Sequence, residues 1–393
     1  LKMFPERFAN LPAYAFPRLR ALLDHHQPGG AIVHMTIGEP KHVFPAWVKD
    51  VIADHAEGFN RYPPNDGAPE LLDAISGWVT RRYGVSMPAD QIMALNGTRE
   101  GLYNAAMALC PETKNGKQPV VLTPNPFYQV YAVAAVSVGA EPVFVNATAE
   151  NGFLPDYAGL PADVLDRVAI AYICSPANPQ GSVASREYWR DLIALAEKHD
   201  FQIFADECYS EIYRTTQPVG ALEVAAEMAA DPERVVVFHS LSKRSNLPGL
   251  RSGFVAGGPE SLRRIRQLRA YSGAPLPLPL QMAAAKVWAD ELHVEENRRL
   301  YSEKFDVADE ILSGVPGYVS PAAGFFLWLP VKDGETAALK AWTETGVRVL
   351  PGAYLSRDTE AGNPGKGYIR VALVAPKTEV QSALITLRDC LYG

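Results

Sequence analysis

Five short apolar runs, most of them β-branched, punctuate the middle of the chain: Val120-Val121-Leu122, Pro142-Val143-Phe144-Val145, Ala169-Ile170-Ala171-Tyr172-Ile173, Gln202-Ile203-Phe204-Ala205 and Val235-Val236-Val237-Phe238. Segments of helical period separate several of them. Across 187–199, for example, apolar residues recur at Trp189, Leu192, Ile193 and Ala196. Strand, helix and strand repeated at this spacing fold as an α/β unit, an open and mostly parallel sheet flanked by helices. Such sheets bind ligands at the carboxyl ends of their strands. The polar residues just after each run are therefore where chemistry is expected.

The character changes near Ser272. Three prolines in Gly273-Ala274-Pro275-Leu276-Pro277-Leu278-Pro279 exclude a helix, because each removes a donor and restrains its predecessor. A long helical pattern over 280–312 follows, then the apolar run Gly324-Phe325-Phe326-Leu327-Trp328-Leu329 and a strand at Tyr368-Ile369-Arg370-Val371-Ala372-Leu373. At ~150 residues per domain, 393 residues suggest two to three domains.

Charge and cysteine usage narrow the function classes. Lys plus Arg number 37 against 44 Asp plus Glu, so no general basic surface is available for nucleic acid or anionic membranes. The weakly polar stretch 130–140 is about half of the ~20 residues a membrane span needs. Cys110, Cys174, Cys208 and Cys390 are far apart without a CxxC pair, and no HExxH or HxH occurs, so neither disulfides nor a metal site is expected. Leu1-Lys2-Met3-Phe4-Pro5-Glu6 has no apolar signal core, and a cytoplasmic protein is the expectation. Arg263-Arg264-Ile265-Arg266-Gln267-Leu268-Arg269 reads as a solvated helix face.

Four segments at strand ends carry candidate chemistry. Ser240-Leu241-Ser242-Lys243 follows an apolar strand, with Arg251 eight residues after the lysine. A partly desolvated lysine beside cations can act as a nucleophilic amine, and Ser240, Ser242 and Arg251 could cradle a phosphate. Asp206 in Phe204-Ala205-Asp206-Glu207-Cys208-Tyr209 could face a pyridinium nitrogen. Asn178 stands in the turn Ser175-Pro176-Ala177-Asn178-Pro179-Gln180-Gly181. Asn96-Gly97-Thr98-Arg99-Glu100-Gly101 opens a helical segment whose free amides suit an anion. Polar turns and helix caps account for any one of these segments alone.

In this order and strand context, the four segments resemble the fold-type I, pyridoxal-phosphate-dependent aminotransferases of class I/II. The match runs from Gly38 in Ile37-Gly38-Glu39-Pro40 to Arg370 in Tyr368-Ile369-Arg370. The resemblance implies a large cofactor domain over 46–284 and a smaller α+β domain formed by 1–45 and 285–393. It implies that Lys243 bonds the cofactor and later moves the proton. Asp206 would pair with the ring nitrogen, Asn178 and Tyr209 with the ring 3-oxygen, and Tyr128 would stack on the ring. Gly97, Thr98, Arg99, Ser240, Ser242 and Arg251 would hold the phosphate. Tyr62 would reach the phosphate of a second copy in a homodimer. Gly38 and Arg370 would bind the substrate α-carboxylate.

A narrower resemblance, to the N-succinyldiaminopimelate aminotransferases of lysine synthesis, rests on residues 240–254, 205–213, 148–155, 124–131 and 349–357. It implies glutamate as amino donor and a succinylated keto acid as acceptor. Aspartate, alanine or aromatic substrates, or a carbon–sulfur lyase reaction, remain open on the same scaffold. Gln180 departs from the threonine usual before this glycine. A second substrate carboxylate could meet Arg18, Arg61 or Arg99, or an arginine of a partner subunit.

Overall fold

The computed structural model describes residues 6–393. Residues 1–5, within which the missing signal core was read, lie outside them. In chain order the strands are β1 (Val33–His34), β2 (Ile92–Leu95), β3 (Val120–Asn125), β4 (Glu141–Asn146), β5 (Val168–Cys174), β6 (Gln202–Asp206), β7 (Val235–Ser240), β8 (Gly253–Ala256), β9 (Phe326–Pro330), β10 (Val347–Arg348), β11 (Leu350–Pro351) and β12 (Tyr368–Ala372).

Seven of them form one sheet in the order β2-β8-β7-β6-β5-β3-β4. Neighbours from β7 to β4 pair parallel, whereas β8 runs antiparallel to both β2 and β7. All five apolar runs are strands of this sheet. They read as unbroken apolar stretches because both faces are covered: Val235 and Val237 pack on one face with Trp78, Trp189 and Trp288, while Val236 and Phe238 pack on the other with Leu102, Tyr131 and Leu262. The four-residue strands β2 and β8 escaped the sequence reading, being too short to show a period.

A second body is built on the antiparallel sheet β11-β12-β9, covered by the helices Leu292–Leu312, Gly334–Thr345 and Lys377–Tyr392. The parallel pair β1-β10 ties the N-terminal segment to it, and Met35 lies in the same apolar cluster as Phe305 and Ile369.

The helical pattern over 280–312 is two helices, Leu278–Ala289 and Leu292–Leu312, not one. Asp290 between them is extended, and its carboxylate accepts the His293 N–H at 3.2 Å, opening the second helix. The first helix starts inside the proline run because Pro279 falls in the first turn, where no N–H is needed. Among the described residues no helix is long and apolar enough to cross a membrane.

Candidate active site

Three parallel strands end side by side, with Cys174 of β5 in register with Asp206 of β6, and Asp206 with Phe238 of β7. Above these ends lies a cavity of ≈ 350 Å³. Gly38, Thr98, Arg99, Tyr128, Asn178, Asp206, Tyr209, Ser240, Ser242, Lys243, Arg251 and Arg370 all line it. Gly97 sits directly behind Arg251: a Cβ there would lie 2.3 Å from Arg251 Nη2. Tyr62 does not line the cavity and is fully exposed.

Lys243 projects from the short helix Leu241–Arg244, which Ser240 caps by accepting the Ser242 N–H at 3.0 Å. Its ammonium donates to the Gly38 carbonyl and lies 5.4 Å from the Phe325 ring centroid. Burial lowers its pKa, and Arg370 and Arg251 push the same way against Cys208 and Glu39. A lysine in this setting gives up its proton more readily than one in water. Gly38 is needed for the close approach, since a Cβ there would meet Phe326 Cζ at 2.5 Å.

Asp206 is buried at the end of β6. Its Oδ2 accepts the Tyr131 hydroxyl at 2.8 Å and its Oδ1 the Cys208 N–H at 3.4 Å. Burial raises its pKa, and those hydrogen bonds only partly oppose the rise. The carboxylate thus favours a cationic partner on its open side. Tyr131 is a site residue that the sequence reading missed. It stacks on Tyr172 (4.5 Å, 12°) and meets the Tyr128 ring edge-on at 5.7 Å. The only available signal was its position three residues after Tyr128, at the opening of the helix Gln129–Ser137.

Arg370 lies mid-strand on β12. Nη1 donates to Asn178 Oδ1 at 3.1 Å and Nη2 to the Thr36 carbonyl at 2.7 Å, while the guanidinium covers the Phe326 ring at 4.2 Å. Its Nε has no partner, and burial lowers its pKa to about 10. A cation this deeply buried, whose hydrogen-bond partners are neutral and whose charge also bears on Lys243, suits a carboxylate, which a guanidinium grips in bidentate fashion.

Groups able to hold an anion gather on the cavity wall around Thr98, Ser240, Ser242 and Arg251. Gly97 (φ +84°) caps the helix Thr98–Leu109. Arg251 donates to the Asn96 carbonyl at 3.0 Å and the Pro248 carbonyl at 2.7 Å, and the Ser240 and Ser242 hydroxyls are 2.8 Å apart. Arg269 holds this turn from behind. It is buried, not on a solvated face as the arginine-rich segment suggested, and donates to Glu100 Oε1 at 2.7 Å and the Asn65 carbonyl at 3.1 Å. Glu100 in turn accepts the Asn96 N–H at 2.7 Å.

The three candidate arginines separate clearly. Arg99 lines the cavity and donates from Nε to the Tyr128 hydroxyl at 2.8 Å. Arg18 covers the Tyr354 ring at 3.8 Å in a neighbouring polar cleft. Arg61 is exposed and does not line the cavity.

A family model described as aminotransferase class I and II matches residues 31–385. The chain belongs to that family. An LL-diaminopimelate aminotransferase of Dehalococcoides mccartyi is 31% identical over 394 residues, covering 98% of both chains. A solved aminotransferase structure from Neisseria meningitidis superposes with a TM-score of 0.93 at 39% identity, covering 98% of each chain. A probable N-succinyldiaminopimelate aminotransferase of Thermus thermophilus gives a TM-score of 0.84 at 25% identity, covering 96% of this chain and 100% of the other. Class I and II aminotransferases use pyridoxal phosphate and act on amino and keto acids, and the fold-type I architecture holds here. The cavity fits the cofactor chemically: an anion cradle at Gly97 and Arg251, a buried carboxylate at Asp206, and an amine of lowered pKa at Lys243.

Proposed function

We propose that this aminotransferase exchanges an amino group between glutamate and a keto acid of the diaminopimelate type, whose far end carries a second carboxylate. The observation behind this reading is the placement of two guanidinium groups, Arg370 and Arg99, in one cavity. Arg370 would take the α-carboxylate common to both substrates, and Arg99 the distal one. The Dehalococcoides mccartyi relative favours an unsuccinylated diaminopimelate skeleton, and the Thermus thermophilus neighbour supports the succinylated alternative.

When bound, the cofactor supplies an electrophilic carbon and an electron sink for the substrate's α-carbon. In this assignment the Lys243 amine anchors the cofactor and then moves the α-proton. Asp206 keeps a proton on the ring nitrogen. Tyr209 and the amide nitrogen of Asn178 would bind the cofactor's 3-oxygen, while Asn178 Oδ1 accepts from Arg370. Tyr128 flanks the ring. Thr98, Ser240, Ser242 and Arg251 hold the phosphate, and the exposed Tyr62 completes the site of a second copy in a homodimer. A division into two bodies is part of the same proposal, supported by their separate apolar clusters, but the boundary falls after Trp288 rather than at 284, because Ala285, Val287 and Trp288 of the helix Leu278–Ala289 pack with the large sheet.

The test is glutamate with a panel of 2-oxo acids, run on the wild type and on Arg99→Ala. Loss of a charged hydrogen bond worth ~1.5–3 kcal/mol should raise KM about 10- to 100-fold for an acceptor with a distal carboxylate, and for that acceptor only. Equal effects on pyruvate would remove Arg99 from the distal site. Fast reaction with aspartate, alanine or aromatic partners while both diaminopimelate precursors stay inert would sink the substrate assignment. Release of ammonia would point to lyase chemistry instead.

Gly97→Ala tests the anion cradle. A side chain there needs a backbone conformation costing ~1–3 kcal/mol and displaces Arg251, so the Kd for pyridoxal phosphate should rise at least ~10-fold. Fluorescence titration of the cofactor-free protein measures it, and unchanged affinity counts against the cradle.

A further inference from the structure

The turn that carries Lys243 is held from both sides of the helix break at Asp290. On one side stands Arg244, 2% exposed between the rings of Trp78 (5.7 Å) and Trp288 (5.0 Å). It donates to the carbonyls of Val287 (3.0 Å) and Asp290 (3.2 Å) and to Glu291 Oε1 (2.9 Å). On the other side stands Asn297, 3% exposed in the helix Leu292–Leu312. Its Nδ2 donates to the carbonyls of Lys243 (3.3 Å) and Arg244 (3.4 Å). Carbonyls only accept, so the amide orientation is settled and Oδ1 must accept from His42 Nδ1, 2.8 Å away.

These contacts close a circuit. His42 lies four residues past Gly38, whose carbonyl takes the Lys243 ammonium. Asn297 therefore touches the lysine's main chain directly and its side-chain acceptor through the 38–42 segment. The same helix continues into the core under the sheet that bears Arg370, where Phe305, Ala308 and Leu312 cluster with Leu327, Ile369 and Val371. Asn297 thus joins the body holding the carboxylate-binding Arg370 to the turn holding the amine. Neither Asn297 nor His42 lines the cavity.

We propose that Asn297, oriented by His42, is a positioning residue that sets the reach of the Lys243 amine relative to the Arg370 carboxylate site. A buried amide that makes three hydrogen bonds has one stable placement, so the two bodies cannot shift without moving the lysine's carbonyl. The inference rests on Lys243 being the cofactor lysine. A wild-type visible band that is absent from Lys243→Ala tests that assignment separately.

The discriminating variant is Asn297→Asp in the cofactor-loaded enzyme. It keeps the size and the acceptor for His42 but sets a carboxylate oxygen against two carbonyls. A displacement of the amine of about 1 Å should lower kcat ~10- to 100-fold with KM for both substrates within about 2-fold. The midpoint of the visible band's pH titration should shift by at least ~0.5 unit, because the amine's surroundings change. His42→Ala, which removes the orienting bond along with the ring contact on Tyr301 (4.4 Å), should show the same signature at ~3- to 10-fold in kcat. A merely structural role predicts a lower melting temperature with kcat and titration midpoint unmoved. That result in whichever of the two variants folds would overturn the proposal.

Discussion

Lys243→Ala is expected to lower kcat by about 10⁴-fold or more, because in the proposed assignment one amine would both anchor the cofactor and move the proton. No other lysine lines the cavity, so no neighbouring amine can take over. Arg370, which burial lowers only to about 10, is no substitute base near neutral pH. The fold itself should be little affected. The hydrogen bond the ammonium makes to the Gly38 carbonyl is a charged one worth ~1.5–3 kcal/mol, and the desolvation of the buried ammonium, which lowers its pKa, offsets that loss when the amine is removed. The variant should therefore melt close to the wild type while losing turnover and the visible band of the loaded enzyme. Retained turnover with an unchanged spectrum would remove Lys243 from the reaction.

Asp206→Asn should separate activity from stability. Replacing a buried charge opposite a cation removes ~3–5 kcal/mol of pairing, which corresponds to about 10²- to 5 × 10³-fold in kcat. The asparagine keeps an oxygen for the Tyr131 hydroxyl, so local packing survives. In the cofactor-free protein the effect reverses. Burial raises the Asp206 pKa, so the folded chain binds its proton more tightly than the unfolded chain does. Stability from this group is then lost as pH rises from the ordinary carboxylate value through the raised one. The asparagine variant escapes that loss and should melt no lower than the wild type at neutral pH without cofactor. Joint loss of activity and cofactor-free stability would contradict the reading of Asp206 as a carboxylate that lacks a cation.

The legible part of the site was local. Ser240, Lys243 and Arg251 share one short segment after β7, and Asp206 ends the run that forms β6, so burial pattern and polar punctuation exposed them together. Tyr131 was hidden because a tyrosine in an apolar helix reads as packing, and only its 2.8 Å bond to Asp206 gives it a role. Arg269 looked solvated because its neighbours Arg263 and Arg264 are; a helix period distinguishes faces only when the covering partner, here Glu100, is known. The break at Asp290 was invisible for a similar reason. Its carbonyls bond Arg244, 46 residues away in sequence.

The buried strands and the polar segments that carry Lys243 and Asp206 were thus legible in local patterns, because a strand covered on both faces must be apolar and must end in its polar loop. The tertiary structure decided the rest: the antiparallel β8, the placement of Arg99 but not of Arg18 or Arg61 on the cavity wall, and the Asn297 link between His42 and Lys243. Those depend on which distant segments are brought within 3–4 Å of one another. No local period encodes such a distance, since it is the packing of whole sheets and helices that sets it.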